Sequence, residues 1–159
     1  MGSGQPVADE AGPPLDAVRA QRAGVRVAMG DVERAAAAAA VNRIAPWAVS
    51  LREQLIRLLA AFDYHILVTE ADDGLLEEVV DVAPRLAHRA NQLRSDHATI
   101  RGLIEKVVTE LDRPEFLDEA GVGQVRELIL DLLHQIGHHR HLGADLIYQA
   151  YNVDIEASD

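Results

Sequence analysis

Apolar residues recur along this chain in alternating steps of three and four, the spacing that gives one face of an α-helix a continuous apolar stripe. One stripe runs Ala48, Leu51, Leu55, Leu58, Phe62, His65 and Thr69. A second runs Leu86, Ala90, Leu93, His97, Ile100, Ile104, Val107 and Leu111, and a third Val125, Ile129, Leu132, Ile136, His139, Gly143, Leu146 and Ala150. An earlier stripe, Leu15, Val18, Arg22, Val25, Met29, Val32 and Ala36, keeps the spacing despite Gly24 and Gly30. Strand-like alternation is absent from the sequence.

The stripes are separated by short breaks. Asn42 to Pro46 predicts the first loop, with Pro46 suited to the first turn of the second long helix. The cluster Asp72-Asp73-Gly74 ends that helix, and Leu75 to Val82 forms a short amphipathic piece. Pro84 opens the third long helix, which stops near Asp112-Arg113-Pro114. Gly121 and Gly123 precede the fourth, placed from Gln124 to about Asn152. The pattern predicts an all-α fold: an antiparallel up-and-down four-helix bundle with a short extra helix between helices two and three.

Each of the three later stripes is interrupted by a histidine, and buried polar groups need partners. Three imidazoles converging from three helices point to a metal ion. With a rise of about 1.5 Å per residue, His97 lies roughly 20 Å before the end of its helix and His139 a similar distance after the start of the next. These two should therefore share a layer. The same count about the first loop places Arg22 in the layer of His65. The structural alternative is that the histidines are interior residues hydrogen-bonded to Thr69, Asn91, Tyr148 or water. A separate stripe, His134, His138 and His141, continues to Asp145 and Tyr148 and reads as a solvated flank. Trp47 beside Pro46 reads as an anchor at one end of the bundle. Acidic clusters such as Asp72-Asp73 and Glu77-Glu78 read as helix-end and surface charge.

Composition narrows the chemistry. At 159 residues and 17.3 kDa, 48% of them hydrophobic, the chain suits one domain, placed over 15–152. The net charge of −11 argues against nucleic acid and anionic membranes as partners. No cysteine is present, so disulfides, thiolate metal sites and cysteine catalysis are excluded, leaving oxygen and nitrogen ligands. Residues 1–14 are rich in Gly, Pro and small polar residues without the basic and apolar regions of a secretion signal, so a disordered arm and a cytoplasmic location are expected. Residues 153–159 are expected to be an acidic, frayed tail. Neither a Gly-rich phosphate loop nor a nucleophile elbow occurs.

A helical bundle with inward histidines on helices two, three and four resembles the hemerythrin-like, or HHE cation-binding, family. The strings His65-Ile-Leu-Val-Thr-Glu70, Leu93-Arg-Ser-Asp-His97 and His139-Arg-His-Leu-Gly-Ala-Asp145-Leu-Ile-Tyr148 carry the likeness, which extends over about Leu15 to Asn152. In that family a carboxylate-bridged di-iron centre is held by a histidine on helix one, H-x3-E on helix two, H-x3-H on helix three, and a histidine with a carboxylate on helix four. His65, His97 and His139 match that set. Arg22, Thr69, Leu93 and Gly143 stand where the other ligands would be, so the likeness implies a depleted site for a single ion. Glu70 and Asp145 are the candidate supplementary carboxylates, and Arg22 is a candidate partner for Glu70 in place of a second cation. The likeness implies iron, with zinc or another divalent transition metal also suited to the donors. It also implies sensing, storage or redox chemistry of a small diatomic or peroxide ligand. The other reading is a metal-free bundle that serves as a binding or protein-interaction module.

Overall fold

A computed structural model of the chain describes residues 13–156. Four long helices, α1 (Pro13–Ala37), α2 (Ile44–Glu70), α4 (Ala87–Glu110) and α5 (Glu119–Glu156), are joined by short connections, with the short helix α3 (Leu75–Val82) between α2 and α4. Single 3₁₀ turns, Pro84–Leu86 and Pro114–Phe116, lead into and follow α4. Residues 1–12 of the expected arm and 157–159 of the expected tail lie outside the described residues, as do the side chains of Leu15 and Val18. Helix already covers Pro13 and Pro14 and runs on beyond Asn152.

The ends of these helices follow from local chemistry. Asn42 adopts φ 59°, a left-handed conformation that asparagine tolerates, and turns the chain from α1 into α2. Pro46 falls in the first turn of α2, where its missing N–H is not needed. The carbonyls at the end of α1 are met by Arg126 of α5, whose guanidinium donates to Ala36 O at 2.8 Å and Ala38 O at 2.7 Å. The same guanidinium stacks over buried Trp47 at 5.5 Å, so Trp47 anchors this end of the molecule as its position beside Pro46 predicts. Helix α5 begins earlier than Gln124, because Asp118 Oδ1 accepts the Gly121 N–H at 2.7 Å and caps the first turn. Gly121 and Gly123 are thus inside the helix, their flexibility overridden by that cap.

Helices α1 and α2 pack together, as do α4 and α5, while α2 meets α4 and α1 meets α5. The interior is divided along its length. The larger apolar cluster includes Val32, Leu51, Leu55, Leu58, Phe62, Ile100, Ile104, Ile129 and Ile136 from all four long helices. A smaller one joins Leu76, Val79, Ala83, Leu86, Ala90, Leu93, Leu146 and Ala150 from α3, the approach to α4, α4 itself and α5. On α4, His97 lies between Leu93 of the smaller cluster and Ile100 of the larger, and on α5 His139 lies between Ile136 and Leu146. A polar layer therefore separates two apolar ones. Among the described residues no helix is long and apolar enough to cross a membrane.

The turn from α2 to α3 is tight. A Cβ on Gly74 would lie 2.7 Å from Ala71 O and 2.8 Å from Thr69 O, both backbone atoms that cannot swing aside. Gly74→Ala is expected to destabilise the protein by about 1–3 kcal/mol through steric strain. Urea denaturation measures this, and an unchanged midpoint would show that the turn relaxes freely.

Candidate metal centre

Three helices bring their imidazoles to one point. Nε2 of His65 on α2 lies 3.1 Å from Nε2 of His97 on α4 and 3.2 Å from Nε2 of His139 on α5. One ring nitrogen from each of the three lies within 4.8 Å of the others, close enough to hold a metal ion. The rings stand nearly perpendicular, His65 to His97 at 88° and His65 to His139 at 84°. Phe62, one turn before His65 and 1% exposed, forms the floor: it stacks on His65 and meets His97 and His139 with an edge. His97 and His139 are buried, and His65 keeps partial exposure. The layer shared by His97 and His139, inferred from helical rise alone, is present.

The outward nitrogens are held separately. His65 Nδ1 donates to Gln21 Oε1 at 2.6 Å, and His97 Nδ1 donates to a Glu70 carboxylate oxygen at 2.5 Å. Asp96 Oδ2 lies 3.6 Å from His139 Nδ1, a nitrogen with no hydrogen-bond partner. An imidazole that donates through Nδ1 carries its lone pair on Nε2. The Nε2 atoms of His65 and His97 therefore face each other as two acceptors at 3.1 Å, with no proton of their own to share. Such a contact repels unless the lone pairs are taken up, either by a metal ion between the rings or, for His65 alone, by an Nε2–H of His139 at 3.2 Å. Burial is the main cause that lowers the pKa of His65 to about 3 and of His139 to about 4, with the neighbouring rings adding to it. Burial also lowers His97, opposed by its bond to Glu70. All three rings are neutral at pH 7, the form that binds metals.

The proposed supplementary carboxylates go to different places. Glu70 is at the centre, on the outer nitrogen of His97, where it orients the ring. Asp145 is not brought there: it lies 3.9 Å from His141 Nε2 on a surface shared with exposed His134 and His138. The rotation of about 100° per residue that separates Asp145 from the His139 face carries it away from the cluster. Arg22 does not pair with Glu70; it lines the cavity beside the histidines, and the contact to His65 falls instead to Gln21, only 2% exposed. Gln21, Val25, Ala28 and Val32 continue the same steps of four and three, so the buried register of α1 was available one residue from the Arg22 stripe. Asp96, adjacent to His97 in sequence, reaches across to α5, a placement that no single-helix stripe displays.

The partners named for an ordinary interior role are elsewhere. Thr69 Oγ1 donates back to the His65 carbonyl at 2.8 Å, Asn91 accepts from Arg94, and Tyr148 is exposed. Tyr151 donates to Glu78 on α3, and burial together with that bond raises its pKa to about 12.

The four positions at which the hemerythrin-like pattern places further ligands provide none. Arg22 is a cation, Thr69 is turned to its own backbone, Leu93 belongs to the smaller apolar cluster, and Gly143 has no side chain. Comparison of the chain with protein-family models, with curated proteins and with solved structures gives no significant match.

Proposed function

We propose that this protein binds one divalent transition metal ion through Nε2 of His65, His97 and His139. The observation that carries the reading is the 3.1 Å approach of two Nε2 atoms whose rings both donate through Nδ1. For metal–nitrogen bonds of about 2.1 Å, neighbouring ligand nitrogens stand roughly 3.0 Å apart in an octahedral shell and 3.4 Å in a tetrahedral one. The observed 3.1 and 3.2 Å fall between these values.

The protein is a hemerythrin-like, antiparallel up-and-down four-helix bundle in this reading, supported by the cyclic packing of the long helices and their short connections. Iron is the metal the family likeness favours, and neutral imidazoles also suit zinc, copper and nickel. A bound ion would supply Lewis acidity or a redox couple for sensing, storage or small-molecule chemistry with oxygen, peroxide or nitric oxide. The chain's own contribution is orientation: Gln21 and Glu70 set the tautomers of His65 and His97, and Phe62 closes the floor. A metal-free interaction module would leave the His65 and His97 lone pairs opposed in the core, with a single Nε2–H from His139 at 3.2 Å from His65 to offset them, where a metal ion engages all three rings.

Metal content measured by mass spectrometry on untagged protein, purified without chelators or nickel resin, is expected to be about one ion per chain. A value near two would restore the bridged two-ion centre, and none after reconstitution would sink the reading.

A further inference from the structure

The cavity beside the histidines has a chemical character of its own. It holds a volume of about 40 Å³ and is lined by all three imidazoles together with Arg22 and Arg140. Leu76, Leu93 and Leu146 make an apolar wall. Arg22 and Arg140 are each half-buried, and among the described residues neither forms an ion pair. The charges that act on Arg140 are those of Arg22 and Arg26, both of its own sign. In a chain of net charge −11, two half-buried guanidinium groups turned to one cavity are a costly arrangement without an anion between them. The carboxylates of the centre do not serve, because Glu70 and Asp96 lie at the outer nitrogens of His97 and His139. A divalent ion on the Nε2 atoms would add further positive charge on the cavity side.

The missing anion can be described from the space and the donors. At about 10–15 Å³ per water, the cavity has room for roughly three waters, the bulk of a ligand with three or four heavy atoms. A guanidinium presents a planar fork of N–H groups that matches two oxygens on one carbon. The apolar wall accepts a hydrogen or methyl substituent and offers nothing to a second charged group. We propose that this cavity is a binding site for a small monocarboxylate, held by Arg22 and Arg140 at the open side of the histidine-bound ion. The inference rests on the metal reading for its ion but not for its arginines, and the two fail separately.

The test uses the full chain loaded with cobalt(II), whose visible spectrum reports its coordination, titrated with acetate and, in parallel, with neutral acetamide. Acetate is expected to change the spectrum saturably and acetamide to leave it unaltered. Arg22→Gln and Arg140→Gln should each weaken acetate binding at least tenfold with cobalt stoichiometry unchanged, and Arg140→Lys, which keeps the charge, should recover part of the loss. Equal binding of acetamide, or acetate binding indifferent to both glutamine variants, overturns the proposal. If the chain takes up no cobalt, the metal reading fails by itself, and acetate is then titrated into metal-free protein by NMR. Arginine-dependent shifts there would sustain the carboxylate site, and their absence would end it.

Discussion

His97→Ala is expected to take the protein from about one bound ion per chain to almost none, and to erase the thermal stabilisation that the ion confers. An ion present at a thousand times its Kd stabilises the folded state by about 4 kcal/mol. For a chain of this length that corresponds to a rise in Tm of roughly 8–16 °C. His97 is the ring to remove because it is buried, contacts both the His65 nitrogen and Glu70, and stands on the face opposite solvent. Loss of its ring also leaves a void in the interior, so the measurement that isolates the ion is the difference in Tm with and without metal, taken within each variant. His138→Ala is the matched control, since His138 is exposed and lies outside the cluster. It should keep both the ion and the full Tm difference. Retention of a full complement of metal by His97→Ala would place the ion elsewhere, with the surface histidines as the first alternative.

The metal-free protein should be acid-sensitive in a window set by its buried imidazoles. The pKa of His65 is about 3 and that of His139 about 4, both lowered from 6.5 chiefly by burial, and His97 is lowered as well. A histidine with a folded pKa below its unfolded value takes up its proton on unfolding. Its contribution to stability is therefore complete above pH 6.5 and is lost as the pH falls toward the folded value. His65 and His139 each cost about 1.4 kcal/mol per pH unit between 6.5 and their folded values. Between pH 7 and pH 5, His65 and His139 together should remove roughly 4 kcal/mol, a large part of the 5–15 kcal/mol typical of a folded domain. Ordinary carboxylates titrate below this window. Urea denaturation of chelator-treated protein at pH 7 and pH 5 measures the difference, and a loss below about 1 kcal/mol would show that the rings are solvated. Added metal should oppose the effect near neutrality and fail progressively toward pH 5, as protons compete for the same nitrogens.

Much of this arrangement is visible in the residue pattern, because burial on a helix is periodic. Every apolar member of the α2 and α4 stripes, from Ala48 to Phe62 and from Leu86 to Leu111, is buried, and His97 falls between them as the spacing requires. The common layer of His97 and His139 follows from helical rise about a short connection. What the pattern misses are contacts made sideways between helices. Gln21 and Arg22 both fit the face of α1 within the tolerance of steps of three and four, and Val25 and Val32 belong to either register. The choice between them depends on how α1 is rotated against α2. Glu70 follows Thr69 at the end of the α2 stripe and so lies near the site by sequence, but its contact with the outer nitrogen of His97 is made between α2 and α4 and is set by how those helices pack. Asp145 illustrates the converse: a carboxylate two residues beyond Gly143 is close in sequence and on the wrong side of the helix. Gly121 and Gly123 misled the boundary of α5 because a glycine near a helix start carries less weight than the Asp118 cap before it.

The division of the interior into two apolar clusters bears on folding cooperativity. Elements that share one continuous core unfold together, since opening any of them exposes the same surface. Here α3 and the far end of α5 contribute to the smaller cluster, whereas Phe62, Ile100 and Ile136 close off the larger one on the opposite side of the histidines. The backbones of α4 and α5 run through both blocks, but between the side chains the coupling passes through three rings and their bonds to Gln21 and Glu70, a joint of polar atoms. An ion that binds all three rings would tie the blocks into one cooperative unit, and its departure would free the smaller block to open as a separate foldon, at a cost set by its own few side chains.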